Sequence, residues 1–220
     1  MKVLHMIGGG DVGGAKIHVL SLVKELGKYI DVKIIALRPG EFTEDAKKMG
    51  IDIEVVNSHN FISDLRKILG IIRSGGYSIV HSHGAKANMF SFLVRRRTDI
   101  PTVTTVHSDY RLDYLHSFWK RYTFGLINTI ALRFVDYHVT VSNRFKDMLI
   151  ERQFDFENIY TVYNGMDFNI DLPKYSKDEF IEKFGLDVAA DDVLVGILAR
   201  LVPVKGVNTF IEAAAAVAEK

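Results

Sequence analysis

The chain has 220 residues, 48% of them apolar, enough for a buried core and for one large α/β domain or one domain with part of a second. Its 28 lysines and arginines against 27 aspartates and glutamates leave a formal charge of +1, which argues against nucleic acid or an acidic polymer as a partner and makes any anion site local. Cysteine is absent, which excludes a disulfide framework and thiolate metal sites. No apolar run reaches the roughly 20 residues needed to cross a bilayer, and the start, Met1 to His5, reads as a strand rather than an export signal. A cytoplasmic protein is expected.

Short β-branched runs alternate with helical patterns from the first residue, the signature of right-handed βαβ units around a parallel sheet. Strands are predicted at Val3 to Ile7, Val32 to Leu37, Ile51 to Val56, Ser78 to His83, Thr102 to His107, Tyr137 to Ser142 and Ile159 to Tyr163. Ala15, Val19, Leu22, Val23 and Leu26 recur on one helical face, and Phe61, Leu65, Ile68, Leu69 and Ile72 on another. Several strands are apolar on both faces, so a doubly wound, Rossmann-like α/β sheet is predicted.

The pattern breaks between Asn169 and Ser176, where Pro173 interrupts a polar stretch, so residues 1–170 are assigned to a first domain and 171–220 to a linker and the start of a second. A helix is predicted from Lys177 to Phe184, then a strand from Val193 to Leu198. A last helix follows, with the apolar stripe Val207, Phe210, Ile211, Ala214 and Val217. One strand cannot supply the sheet such a stripe needs, so self-association through 193–220 is one expectation.

Gly8 to Gly14 follow a strand and open a helix, with Gly8, Gly10 and Gly13 at the spacing of a dinucleotide fingerprint. Glycines let backbone approach a ligand closely, and helix-start N–H groups favour phosphate. NAD would need an acidic residue at the end of the second strand, where this chain has Arg38-Pro39-Gly40. Arg38 suits a 2′-phosphate, which keeps an NADP-dependent oxidoreductase open, and a tight turn with no ligand is a further alternative.

His81 and His83 flank Ser82 on one strand, so both project from one face and precede a turn at Gly84. With no cysteine, carboxylate or third histidine in the same loop, no metal is expected. The pair either lines the crevice at the strand ends or forms satisfied core histidines. His107 ends the next strand at the edge where open α/β sheets bind ligands, and a neutral imidazole there can hydrogen-bond a sugar hydroxyl or orient a reacting group.

In order and spacing, several segments resemble the retaining nucleotide-sugar glycosyltransferases of GT-B fold, of the group 1 or family 4 type. They are Gly13-Gly14, His81-Ser82-His83, Thr105-Val106-His107, Val141-Ser142, Val162 to Asp167, and Gly196 to Gly206 with Arg200 and Lys205. The resemblance implies a first lobe that holds a carbohydrate or lipid-linked acceptor and a second that binds a nucleotide diphosphate sugar. It implies that the Gly13 and Gly14 amides face the donor's phosphate, that His107 contacts the transferred sugar, and that Arg200 and Lys205 neutralise the diphosphate. His81, His83 and Asn164 would line the cleft. No cofactor or metal is expected, because fixed donors can stabilise the leaving group.

The family's paired glutamates of the second lobe are not reached by residue 220, so the expectation is that these residues alone transfer no sugar. A non-catalytic acceptor-binding module stays open. Arg95-Arg96-Arg97 with Phe118 to Tyr122 would form an aromatic, basic surface if the fold joins them, and peripheral contact with an anionic membrane, at its inner face, is then an expectation.

Overall fold

The computed structural model describes residues 1–10, 13–111, 125–165, 175–189, 191–199, 201 and 205–218. The chain divides into two compact units, Met1–Met166 and Asp167–Lys220.

The first unit is built on strands β1 (Lys2–Ile7), β2 (Asp31–Ala36), β3 (Ile53–Val55), β4 (Ile79–His83), β5 (Thr102–Val106), β6 (Tyr137–Thr140) and β7 (Ile159–Thr161). They form one sheet in the order β3-β2-β1-β4-β5-β6-β7, and every neighbouring pair is parallel. That is the Rossmann-like order with a seventh strand added. Its topological switch lies between β1 and β4, where connections leave toward opposite faces and open a crevice at the strand ends. Helices α1 (Gly14–Leu26), α2 (Glu41–Lys48), α3 (Phe61–Gly75), α4 (Ala85–Arg95), α5 (Leu126–Arg133) and α6 (Asn143–Glu151) cover it.

Alternation along the strands divides the core. Leu4, Met6, Ile35, Leu37 and Val80 pack with Leu65, Ile68, Leu69 and Ile72 of α3 and Ala87, Phe90 and Val94 of α4. On the other face Ile7, Ile34 and Ala36 pack with Val19, Leu20 and Val23 of α1 and Phe42 and Ala46 of α2. Each fully buried side chain of this size contributes roughly 1.5–3 kcal/mol. The sheet is therefore anchored from both sides, and the strand ends at the switch are held in place.

Helix α3 starts at Asn60, whose side chain accepts from Ser63 N at 3.0 Å, and stops at Gly76 with φ 64°. Helix α6 starts at Ser142, which accepts from Phe145 N. The motif residue Ser142 thus has a structural use, satisfying a helix-start donor.

In the second unit α7 (Lys177–Phe184) forms as predicted, with Ser176 and Glu179 capping each other reciprocally and Gly185 closing it at φ 60°. Helix α8 (Val207–Ala218) follows, with Ile211 and Val217 exposed. The strand predicted from Val193 to Leu198 does not form: the segment pairs with nothing in the sheet, and Val193 and Leu198 are solvent-exposed. A strand is stabilised by its neighbours' ladder, and the described part of this unit holds no second strand to provide one. No described helix is long and apolar enough to cross a membrane.

Candidate functional site

Among the described residues, five histidines converge at the switch point. His5 of β1 sits opposite His81 in the parallel register, and His83 opposite Ile7, so His5, His81 and His83 share a face. The rings of His81 and His83 stack with centroids 4.4 Å apart, and His5 lies 4.9 Å from His81 and 5.4 Å from His83. His107, just past β5, adds its ring 5.7 Å from His83, and His18 of α1 meets His107 edge-on at 5.0 Å. On this face α1 and α2 bury apolar residues over β1 and β2, while histidines occupy the ground over β1, β4 and β5.

The cluster is hydrogen-bonded internally. His5 Nδ1 lies 3.1 Å from His83 Nε2, His83 Nδ1 lies 3.4 Å from His107 Nε2, and His81 Nε2 lies 2.8 Å from Thr105 Oγ1. His5 Nε2 is buried and has no partner. Burial, then the nearby His18, pushes the pKa of His5 and of His107 down to about 4. Burial drives His81 and His83 well below the usual histidine value, and His18 is lowered mainly by burial too. Taking imidazolium out of water is costly, so at neutral pH these rings are neutral.

The nitrogens of His5, His81 and His83 lie within 4.8 Å of one another, near enough to share one transition-metal ion. The reason for expecting no metal was local, since a third histidine was sought in the same loop. The fold supplies one from β1 instead. Yet the set brings no negative charge, so a dication there would be left uncompensated in a buried place.

The glycine turn splits into two parts with different uses. A Cβ on Gly9 would overlap the Arg38 carbonyl oxygen, one on Gly10 would overlap the Arg38 guanidinium, and one on Gly40 would lie 2.9 Å from Gly9 O. The close approach these glycines permit is to the chain itself, where the loop after β2 crosses the loop after β1. The dinucleotide alternative wanted that approach for a pyrophosphate and Arg38 for a 2′-phosphate; here Arg38 lies across the turn. Gly13, at φ 71°, and Gly14 differ: a Cβ on either meets nothing within 4 Å. They open α1 with no side-chain cap and no acidic residue in the first turn. Helix α4 likewise starts at Gly84, φ 82°, with no side-chain cap. Two helix N-termini with no side-chain cap among the described residues thus stand at the crevice, and both favour negative charge.

Around the site the chain is braced. Lys16 of α1 pairs with Glu41 at 2.5 Å and Asp45 at 2.6 Å on α2. Its ammonium is held protonated, first by the Asp45 hydrogen bond and then by Glu41. Asp109, two residues past His107, receives both guanidinium nitrogens of Arg152 at 2.8 and 2.7 Å, and that pairing holds its carboxyl below the ordinary range. The guanidinium also lies over the Tyr110 ring. A bidentate pair fixes orientation as well as distance, so the loop carrying His107 is tied to the end of α6. A cavity of about 50 Å³ beside His107 is lined by Gly84, Asn88, Thr105, Tyr110 and Asn128 among others.

Of the residues singled out from sequence, His81, His83 and His107 come together, and Asn164 reaches His18, whose charged form it favours more weakly than burial opposes it. Gly13 and Gly14 begin the helix that carries His18. Lys205 lies in the second unit and is exposed; Arg200 lies outside the described residues. Phe118 to Tyr122 also lie outside them. His5 and His18 were missed. His18 had a signal, one turn after the glycines on α1, but His5 joins His83 across 78 positions and no spacing reveals it.

A second hollow, about 550 Å³, lies at the opposite edge of the sheet, among Arg95, Arg96, Arg133, Phe134 and Tyr137. Its charges are largely engaged: Arg95 pairs with Asp136 at 2.7 Å, and Arg133 donates to the carbonyls of Gln153 and Arg152. The histidine crevice is the better candidate.

The chain is 23% identical over 243 residues to D-inositol 3-phosphate glycosyltransferase of Corynebacterium aurimucosum, covering 99% of this chain and 57% of that protein. Among solved structures it resembles Anabaena Alr3699/HepE in complex with UDP-glucose, with a TM-score of 0.76 at 21% identity over 98% of this chain and 57% of that one. A glycosyltransferase from Rickettsia africae gives a TM-score of 0.63 at 22% identity, covering 85% of this chain and 50% of that one. The chain therefore spans 50–57% of the length of these relatives, and the fold is the Rossmann-like one found in GT-B glycosyltransferases. The model of Glycosyltransferase Family 4 matches residues 12–169, from the glycine turn through the histidine cluster to the loop after β7, and the chain belongs to that family.

Proposed function

We propose that the first unit is the acceptor-side lobe of a retaining glycosyltransferase that moves a sugar from a nucleoside diphosphate sugar to a carbohydrate or lipid-linked acceptor. The observation that carries this reading is the start of α1. Gly13 and Gly14 lead into it with nothing among the described residues within 4 Å of an added Cβ and no side-chain cap. One helical turn, about 6 Å, separates Gly14 from His18, which touches His107. Phosphate-favouring amides and a neutral imidazole thus share one rim.

The chemistry follows from charge. Breaking the glycosidic bond leaves negative charge on the diphosphate, and amide donors already fixed at a helix start stabilise it without reorganising. His107, neutral at pH 7, offers the sugar a hydrogen bond and no charge. Lys205 and Arg200, from the second unit, are the proposed counter-charges for the diphosphate, so that no metal is required. Support for the donor class comes from the HepE structures, described as complexes with UDP and with UDP-glucose. Because the relatives are longer, turnover is proposed of a protein with both lobes, and residues 1–220 alone are expected to transfer nothing.

Titration of the 220-residue chain with UDP-glucose, followed by amide NMR and a transfer assay, tests this. Shifts at the Gly13 and Gly14 amides without turnover are expected. Shifts confined to other parts of the first unit, or turnover by this chain alone, would contradict it.

A further inference from the structure

The histidine chain contains more information than its contacts. Neutral imidazole carries one proton, so in each His–His hydrogen bond one ring donates and the other accepts. Three rings in a row, His5, His83 and His107, therefore have only two consistent arrangements. In the first, His107 Nε2–H donates to His83 Nδ1, His83 Nε2–H donates to His5 Nδ1, and the proton of His5 must then reside on Nε2. In the second, every bond runs the other way: His5 Nδ1–H donates to His83 Nε2, and His83 Nδ1–H donates to His107 Nε2.

The far end decides between them. His5 is fully buried and its Nε2 has no partner. The first arrangement strands a buried N–H there; the second leaves only a lone pair. Orphaned buried donors are rare and costly, while an under-used acceptor is tolerated better. We infer that His5 and His83 are positioning residues that hold His107 in its Nδ1–H tautomer, its Nε2 turned inward as an acceptor and its Nδ1–H left to a ligand. His107 then serves a bound oxygen as a hydrogen-bond donor and is unsuited to act as a general base through Nδ1. That consequence rests on the proposed role of His107 at the sugar; the tautomer itself does not.

The test is long-range nitrogen–proton NMR of the imidazoles in the 220-residue chain at neutral pH with a chelator present, which reads the tautomer without donor, acceptor or turnover. The wild-type chain is expected to show His107 as Nδ1–H by about tenfold or more, the ratio that an orphaned donor implies. His83→Leu removes the inward donor, and the ratio should move toward the Nε2–H form that free imidazole prefers. His83→Asn, whose amide nitrogen stands where Nδ1 stood, should restore it, and His5→Phe should shift it part-way. A wild-type ratio favouring Nε2–H overturns the inference. So does an unchanged ratio in His83→Leu, or an equal loss in the Leu and Asn variants, which would make packing rather than a donor the cause. Should His83→Leu fail to fold, the wild-type ratio and the Asn variant still decide. Loss of nucleotide binding with the tautomer intact would instead count against the glycosyltransferase reading alone.

Discussion

Ser82 and the histidines beside it point to opposite faces of β4, and the two polar clusters they enter are built on opposite terms. On the α4 side Ser82 and Thr104 both donate to Asn88 Oδ1, at 2.8 and 2.7 Å, and Asn88 Nδ2 donates to Asn128 Oδ1 at 2.9 Å. All four residues are buried, and the network ties β4, β5, α4 and α5 together. On the α1 side the histidines satisfy one another in part, leave His5 Nε2 unpaired, and end at half-buried His107. A closed network locks a structure, whereas one with an end at the crevice keeps a hydrogen-bonding group for something else.

The largest effect should come from the closed side. Asn88→Leu leaves the Ser82 and Thr104 hydroxyls and the Asn128 amide without that partner in a dry interior, and the loss of stability is expected to be about 3 kcal/mol. The urea midpoint measures it. A loss below about 1 kcal/mol would show that these groups find other partners and that the contrast between the faces is overstated.

The open side should reveal itself through pH. His5 and His107 titrate at about 4 when folded, against 6.5 for an unperturbed histidine. Between those values the unfolded chain binds more protons, so folding free energy is fully retained above pH 6.5 and falls as pH drops toward 4. One such imidazole costs about 2 kcal/mol by pH 5. The carboxyl of Asp109, held low by Arg152, contributes loss only at more acidic pH, so the histidine window stands apart. His5→Phe should flatten the slope of stability against pH between 6.5 and 4, and an unaltered slope would mean that His5 is not neutral in the folded chain.

The two faces differ in how far they can be read from sequence, for the same physical reason. Strand alternation alone places His81 and His83 together, and the β-branched runs give every strand of the first unit to within a few residues. His5 was invisible because its partner is set by parallel register with a strand 78 positions away. Val193 to Leu198 was misjudged in the other direction: its composition suits a strand, but pairing depends on a neighbour that composition does not supply. The glycine turn shows both outcomes in seven residues. Local rules favour a ligand-facing turn throughout, yet Gly9 and Gly10 answer to Arg38, 28 or more positions on.

That division of the turn gives the smallest and most discriminating effect. Gly9→Ala places a Cβ at φ 83° against the Arg38 carbonyl, so it should destabilise the fold by about 2 kcal/mol whatever ligand is present. Gly14→Ala adds a methyl where nothing lies within 4 Å, in the first turn of a helix that prefers alanine. Thermal unfolding should therefore show no loss, or a gain of about 0.5 kcal/mol. If a phosphate sits over that turn, the same methyl intrudes on it, and UDP-glucose binding should weaken several-fold in a protein at least as stable as the original. Undiminished binding in Gly14→Ala would place the donor elsewhere, and would leave the glycines after Gly10 with a conformational use alone.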